Sequence, residues 1–266
     1  MYLISLIIIS CINYRLMFNC LGEIMYANDI FNIIDEMVPR KLAIENDKIG
    51  YFGKTFDNLD IKNIKIMMDL LPKDDLIFNK DDLIIAHHPP FFIPKTPTYV
   101  VHSNWDIIEG GANDALAHYL DLTPISVFHK QTGIGRICSS SKSFDEFLAT
   151  VCFKFGPENV RLVNENNTNK ILKKIAIVSG FGLSNADFIK LAKDRSVDAF
   201  LSGDLNHSNA ILAKKLGLTL IDVSHHIIEV PGLFAFAKLI GENDSIEVPV
   251  EVIDSGVPWQ YISTEF

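Results

Sequence analysis

The chain predicts an α/β fold, and three observations carry that prediction. Short apolar runs such as Leu83 to Ala86 and Leu218 to Val223 read as buried strands. Other stretches place apolar residues at helical spacing, as Ile30, Ile33, Ile34 and Met37 do. The two patterns alternate through most of the sequence, which calls for largely parallel strands in its middle.

In chain order, Asn28 to Met37 reads as a helix that Asn28 or Asp29 can cap and Pro39 ends. Strands follow at Ile64 to Asp69, Leu83 to Ala86 and Tyr99 to Val101. A helix spans Gly111 to Leu120, and a short strand Ile125 to Phe128. Gly133 to Arg136 is a turn leading into Ile137, and Ser143 caps a helix through Val151. The polar run 164–169 reads as a loop and as the best candidate for a hinge or lobe boundary. Beyond it lie a strand at Ile175 to Val178, a turn at Ser179 to Gly182 and a helix at Asn185 to Lys193. A strand at Ala199 to Leu201, a helix at Asn209 to Leu216, a strand at Leu218 to Val223 and a helix from about Leu233 to Ile240 complete the order. Pro231 fits the first turn of that last helix, which puts Glu229 near its start.

The 266 residues suit one large domain or two small lobes. A net charge of −9 argues against broad nucleic-acid binding, where Lys and Arg must neutralise phosphates. It leaves a nucleotide substrate open, because divalent ions reverse the charge locally. The four cysteines form no C-x-x-C pair, so a reducing, cytoplasmic setting is the simplest expectation. The apolar run Tyr2 to Ile12 falls short of the roughly 20 residues that span a bilayer. Residues 1–24 are expected to be an unstructured or packed extension that an upstream start codon would account for, with a weak membrane anchor as the alternative. The domain proper is expected over 25–266, with lobes at about 25–136 and 137–266.

Six of the eight histidines fall in four short segments: AHHPPFF (86–92), HSNWD (102–106), SGDLNH (202–207) and DVSHHIIE (222–229). Each follows a predicted strand, and α/β folds bind ligands at the carboxyl ends of strands. On an extended chain His87 and His88 point to opposite sides, which suits two ions a few ångströms apart better than one. Pro89 and Pro90 stiffen that exit. Imidazoles with Asp and Glu carboxylates suit Zn²⁺, Mn²⁺ or Fe²⁺, and two such ions can activate water and stabilise a leaving atom. The bland alternatives are turns with surface histidines, aspartate N-caps at Asp69, Asp204 and Asp222, and a packing role for Trp105. His118 and His129 stay unassigned.

Taken together, IENDKIGYFG (44–53), LIIAHHPPFF (83–92), HSNWDIIEGGANDALAHYL (102–120), GIGRI (133–137), SGDLNH and DVSHHIIE resemble, in this order, the GTP cyclohydrolase I type 2 homologues, also called NGG-interacting-factor-three-like proteins. The resemblance implies two α/β lobes with a metal site at strand carboxyl ends. It places a two-metal site on His87, His88, Asp106, His225 and Glu229, with Glu229 bridging both ions. His102 and His207 would stand behind the ligands or on the substrate side, where they could shuttle protons, and Arg136 is a candidate anion contact. Ser103 and Ser224 depart from the commoner Thr and Gly, and His226 fills a position often aromatic. The 43 residues between Arg136 and Gly180 leave little room for the middle domain that some members insert, so this resembles the short form. The resemblance further implies a toroidal homohexamer. Its activity would be hydrolysis of a nucleotide or related heterocycle; in the cyclohydrolase version water attacks guanine C8 and formate is released. The alternatives are a metal-binding scaffold without turnover and a two-metal phosphoesterase. No stable nucleic-acid or membrane partner is expected.

Overall fold

The computed structural model describes residues 24–54, 59–164 and 170–259. The expected extension, apart from Ile24, and most of the 164–169 loop lie outside them. In chain order the elements are β1 (Met25–Tyr26), α1 (Ala27–Met37), β2 (Gly50–Phe52), β3 (Asp60–Ile61), β4 (Asn63–Met67), β5 (Asp82–Ala86) and β6 (Thr98–Val100). Next come α2 (Ser103–Ile107), α3 (Ala112–Tyr119), β7 (Thr123–His129), β8 (Ile134–Ser139), α4 (Phe144–Phe155), β9 (Val160–Val163) and β10 (Lys174–Ile177). Last are α5 (Ala186–Asp194), β11 (Ala199–Ser202), α6 (His207–Leu216), β12 (Thr219–Val223), α7 (His225–Gly241) and β13 (Val250–Ile253). The fold is mixed α/β, as the sequence predicts.

The chain forms two compact units. Of the described residues, the first holds 24–104 and Leu233–Ser255, and the second Trp105–Gly232 with 256–259. This differs from a boundary near 136/137. Arg136 and Ile137 both sit inside β8, a strand of the second unit hydrogen-bonded on both sides. The divisions lie within α2 and α7 instead.

The first unit is built on a five-stranded sheet ordered β13-β4-β5-β6-β2, with β1 and β3 paired separately. Its four strands β13, β4, β5 and β6 are parallel, and β2 is an antiparallel edge. All five residues of β5 are buried, as expected of a parallel strand covered on both faces. Met67, Leu70, Ile84, Ala86 and Val100 pack together in its core. The β4–β5 pairing continues beyond the strand ends, because His87 N–H donates to Met67 O and His88 N–H to Met68 O, both at 2.9 Å. The two histidines are thus held by backbone before Pro89 and Pro90 end the pairing.

The second unit carries a six-stranded sheet ordered β7-β8-β10-β11-β12-β9. Its centre, β10-β11-β12, is parallel and its flanks are antiparallel. Phe144, Phe147, Ile175, Leu201, Ile221 and Ile228 are among the side chains of its core. Ser143 caps α4 as expected, completing a capping box with Glu146. The helix runs on to Phe155 and stops at Gly156, whose φ of 82° takes the chain out of the helix.

The last helix departs most from expectation. α7 starts at His225 rather than near Leu233, and Pro231 lies inside it. A proline there forfeits one intrahelical bond. The apolar faces around it, with Ile228, Leu233, Phe236 and Ala237 all buried, outweigh that loss. Among the described residues no helix is long and apolar enough to cross a membrane.

Candidate metal centre

In the first unit, the end of β5 and the start of α2 bring three imidazoles together. Ring centroids lie 4.9 Å apart for His87 and His88, 5.1 Å for His87 and His102, and 5.5 Å for His88 and His102. The nitrogens these three rings can offer to a cation all lie within 4.8 Å of one another. His87 and His88 therefore do not point to opposite sides. The alternation of side chains holds only along an extended strand, and the backbone bends at these two residues.

Each ring is oriented through Nδ1. That nitrogen lies 3.0 Å from Val101 O in His87, 2.9 Å from Asp69 Oδ1 in His88 and 2.8 Å from Asp47 Oδ1 in His102. A carbonyl and carboxylates only accept, so Nδ1 carries the proton and Nε2 the lone pair. Asp47 is itself well held. Its other oxygen accepts from Ser103 N–H at 3.0 Å and from the Ser103 hydroxyl, while Ser103 Oγ accepts from Ile44 N–H at 3.0 Å. Burial works against its charge, but the bonds from His102 and Ser103 outweigh that and hold its carboxyl well below the usual range.

In the second unit, α7 presents His225 and Glu229 one turn apart on one face, a stacking that a helix start near Leu233 would have ruled out. His225 lies between two carboxylates, with Nδ1 2.6 Å from Asp204 Oδ2 and Nε2 3.2 Å from Glu229 Oε2. Burial opposes the imidazolium, yet the two carboxylates prevail and push the imidazole up to about 10. The surroundings of His225 thus favour positive charge. The turn after β10 forms the wall against this pair. A Cβ on Gly180 would fall 2.2 Å from Glu229 Oε1 and 3.1 Å from His225 Nε2. Asn113 holds that turn, accepting from Ser179 N–H at 2.9 Å while its amide donates to Asp106 O at 2.8 Å. Asp106 is buried, as is Glu229.

The remaining expected site residues are placed otherwise. His207 is exposed at the first turn of α6, which Asn206 caps. Arg136 is 5% exposed, with Nε and Nη2 on the two oxygens of Asp114 at 2.7 and 2.8 Å. Its Nη1 donates to Gly133 O and Gly135 O, and its Nη2 also to Ile107 O and Ile108 O. All its donors are thus engaged within the protein, and it clamps the β8 turn to α2 and α3 instead of facing an anion. Asp222 takes Arg161 Nε and Leu205 N–H, and His226 is buried on α7. Trp105 packs, donating through Nε1 to Gly232 O. Sequence reasoning gave no role to Asp47 and treated Asp69 and Asp204 as caps. Asp47 and Asp204 do lie inside two of the motifs singled out, IENDKIGYFG and SGDLNH.

Imidazole nitrogens and buried carboxylates are the donors that Zn²⁺, Mn²⁺ or Fe²⁺ prefer. Each histidine of both sets also has a hydrogen-bond acceptor at Nδ1, the arrangement that usually supports metal-binding imidazoles. The residues present fit such ions.

The Duf34/NIF3 (NGG1p interacting factor 3) family model matches residues 95–257. A GTP cyclohydrolase 1 type 2 homolog from Methanothermobacter thermautotrophicus is 38% identical over 232 residues, covering 87% of this chain and 94% of that protein. One from Methanocaldococcus jannaschii is 32% identical over 249 residues, covering 84% and 98%. Among solved structures, reduced HcgD from Methanocaldococcus jannaschii superposes with a TM-score of 0.75 at 30% identity, over 88% of this chain and 98% of that one. The hypothetical protein SA1388 from Staphylococcus aureus gives 0.74 at 22% identity, over 90% and 100%, and shows the fold alone. The chain belongs to the Duf34/NIF3 family.

Proposed function

We propose that this protein binds two divalent metal ions through His87, His88, Asp106, His225 and Glu229 and hydrolyses a nucleotide or related heterocycle. The observation that carries the proposal is the orientation of the histidines. His87, His88 and His225 each have Nδ1 against an acceptor, which aims Nε2 at a cation. Paired ions of this class activate water and stabilise the charge of a leaving group. The chain's own residues hold and aim the donors: Asp69 through His88, Asp204 through His225, and the Gly180 turn against Glu229. Arg136 is not part of this proposal, because its donors are taken. His207 is exposed and remains a candidate for the substrate side only.

The names of the relatives point to GTP as the first substrate to try. Purified protein loaded in turn with Zn²⁺, Mn²⁺ and Fe²⁺ is expected to hold close to two ions per chain and to release formate from GTP. Metal binding without formate, with cleavage of a generic phosphoester, would replace the cyclohydrolase activity with phosphoester hydrolysis. Two ions bound and neither product formed would leave a metal-binding scaffold. A homohexamer, implied by the family resemblance, is part of the proposal, and sedimentation of the loaded protein tests it.

A further inference from the structure

We infer that Arg161 is the residue that contacts the phosphate of the nucleotide substrate, at the carboxyl ends of the strands of the second unit. The inference rests on the reading of the substrate as a nucleotide and names the group that meets its anionic end. Arg136 is engaged inside the protein, so a phosphate must find its guanidinium elsewhere. The second unit has two other arginines among its described residues. Arg195 follows α5 and donates to Val127 O and Phe128 O on the edge strand β7. It stands before β11, at the amino ends of the parallel strands. Arg161 stands at their other ends, where α/β folds bind ligands. β9 runs antiparallel to β12, and the register sets Arg161, near the start of β9, against Asp222, near the end of β12.

The guanidinium is held but not used up. Its Nε donates to Asp222 Oδ2 at 2.7 Å and its Nη2 to Leu205 O at 2.9 Å. Asp222 is itself fixed, being buried and accepting Leu205 N–H on Oδ1 at 2.9 Å. Both hydrogens of Nη1 and the second hydrogen of Nη2 meet no acceptor among the described residues. The side chain that carries them is 64% exposed. A guanidinium oriented in this way loses little freedom on taking up a phosphate, and its planar array of donors matches phosphate oxygens.

Arg161 and His225 are anchored to adjacent residues of one turn, between β11 and α6. Leu205 O accepts from Arg161, and Asp204 meets His225 Nδ1 at 2.6 Å. The electrostatics of Asp222 reflect that closeness. Burial raises its carboxyl, the bond from Arg161 works against this, and the charge of Asp204 adds to the rise. His207 lies exposed at the first turn of α6, two residues beyond Leu205. A nucleotide that reacts beside His225 thus has a guanidinium next to it on the same unit, with an imidazole on the far side of the turn. An ion pair that only fastened β9 to this turn would leave nucleotide affinity untouched, and that difference separates the two roles.

The test compares guanosine monophosphate with guanosine, which differ by the phosphate alone. Affinities for the full metal-loaded chain are measured by titration calorimetry, with metal content and melting followed on the same samples. The parent is expected to bind the monophosphate more tightly. Arg161→Gln is expected to weaken the monophosphate about 10- to 100-fold, the worth of a hydrogen bond to a charged group, and to leave guanosine unchanged. Arg161→Lys keeps the charge without the planar fork and is expected to recover part of the loss. Because Arg161→Gln strands the buried Asp222, Arg161→Gln/Asp222→Asn is measured beside it. It is expected to lose the monophosphate equally while melting closer to the parent. A monophosphate that keeps its advantage over guanosine in both Gln variants overturns the inference and leaves the phosphate to the metal ions alone. Equal loss of both ligands makes Arg161 a structural residue and overturns it too, as does a parent without preference for the monophosphate. If the preference is present and lost in Arg161→Gln while GTP yields no formate, this inference stands and the cyclohydrolase reading fails.

Discussion

The backbone of Gly180 lies directly against the carboxylate of Glu229. A Cβ at this position would stand 2.2 Å from Oε1, closer than any real contact, and the residue has φ +78°. Gly180→Ala therefore carries two penalties. The left-handed backbone costs about 1–2 kcal/mol for a residue with a side chain, and the methyl must displace Glu229. The carboxylate is the flexible end of its side chain, so the fold can yield where the site cannot. Thermal melting is expected to show a modest loss of stability, with metal affinity reduced at least 10-fold. A variant that binds metal as tightly as the parent would separate Glu229 from the metal site.

Arg136 and Asp114 are both almost wholly buried and joined by two charge-assisted bonds. Removing one partner of such a pair leaves an uncompensated charge inside the protein and costs about 3–5 kcal/mol. Arg136→Met is expected to lower the unfolding free energy, read from urea denaturation, by an amount of that order. Arg136→Met with Asp114→Leu is expected to recover much of it, because the charge left behind is removed too. An Arg136→Met protein as stable as the parent, but with weaker substrate binding, would return Arg136 to the anion-contact role.

The buried parallel strands were legible because burial on both faces writes them as unbroken apolar runs. Leu83 to Ala86 became β5 and Leu218 to Val223 became β12 with shifts of a residue. The edges were not. β9 is a four-residue edge with two exposed positions, and β2 begins at a glycine. β13 joins its sheet beside β4, almost 190 residues earlier in the chain. Such strands exist through pairing, which no local pattern records. In the site, the histidines stood out by type and place. Their aspartates did not, since Asp47 lies 55 residues from His102 and Asp204 21 from His225. A helix start read from Pro231 also hid the one-turn stacking of His225 and Glu229, because proline marks a first turn more often than an interior.

Asp198 ties the loop before β10 to the start of β11. Its carboxylate accepts from Lys173 and Lys174 N–H and pairs with Lys170 Nζ at 3.0 Å. Burial raises its pKa, but the Lys170 and backbone bonds outweigh this, and the folded value lies below the ordinary one. A depressed carboxylate contributes stability that is present above its unfolded pKa, about 3.9, and is lost as pH falls through the lower folded value. Urea denaturation of the parent is expected to show this loss below about pH 4. Asp198→Asn is expected to be less stable at pH 7 and to lose less on acidification. Parallel pH profiles for the two proteins would remove Asp198 from the account.

Asp204 meets His225 at 2.6 Å although its own backbone is left-handed, with φ 64°. That conformation is strained for a residue with a side chain, less so for aspartate than for most. Asp204→Asn keeps size and shape but removes the charge and allows the amide to present a donor toward His225. Metal affinity is expected to fall about 10- to 100-fold. The same change must appear in stability, because an ion that binds only the folded chain stabilises it by about 2.7 kcal/mol at one hundred times its dissociation constant. Chelation of the parent is therefore expected to lower its melting temperature, and Asp204→Asn to shrink the gap between loaded and chelated protein at a fixed metal concentration. An unchanged gap would mean that the charge of Asp204 does nothing for the ion, and that its bond to His225 only fixes the turn between β11 and α6.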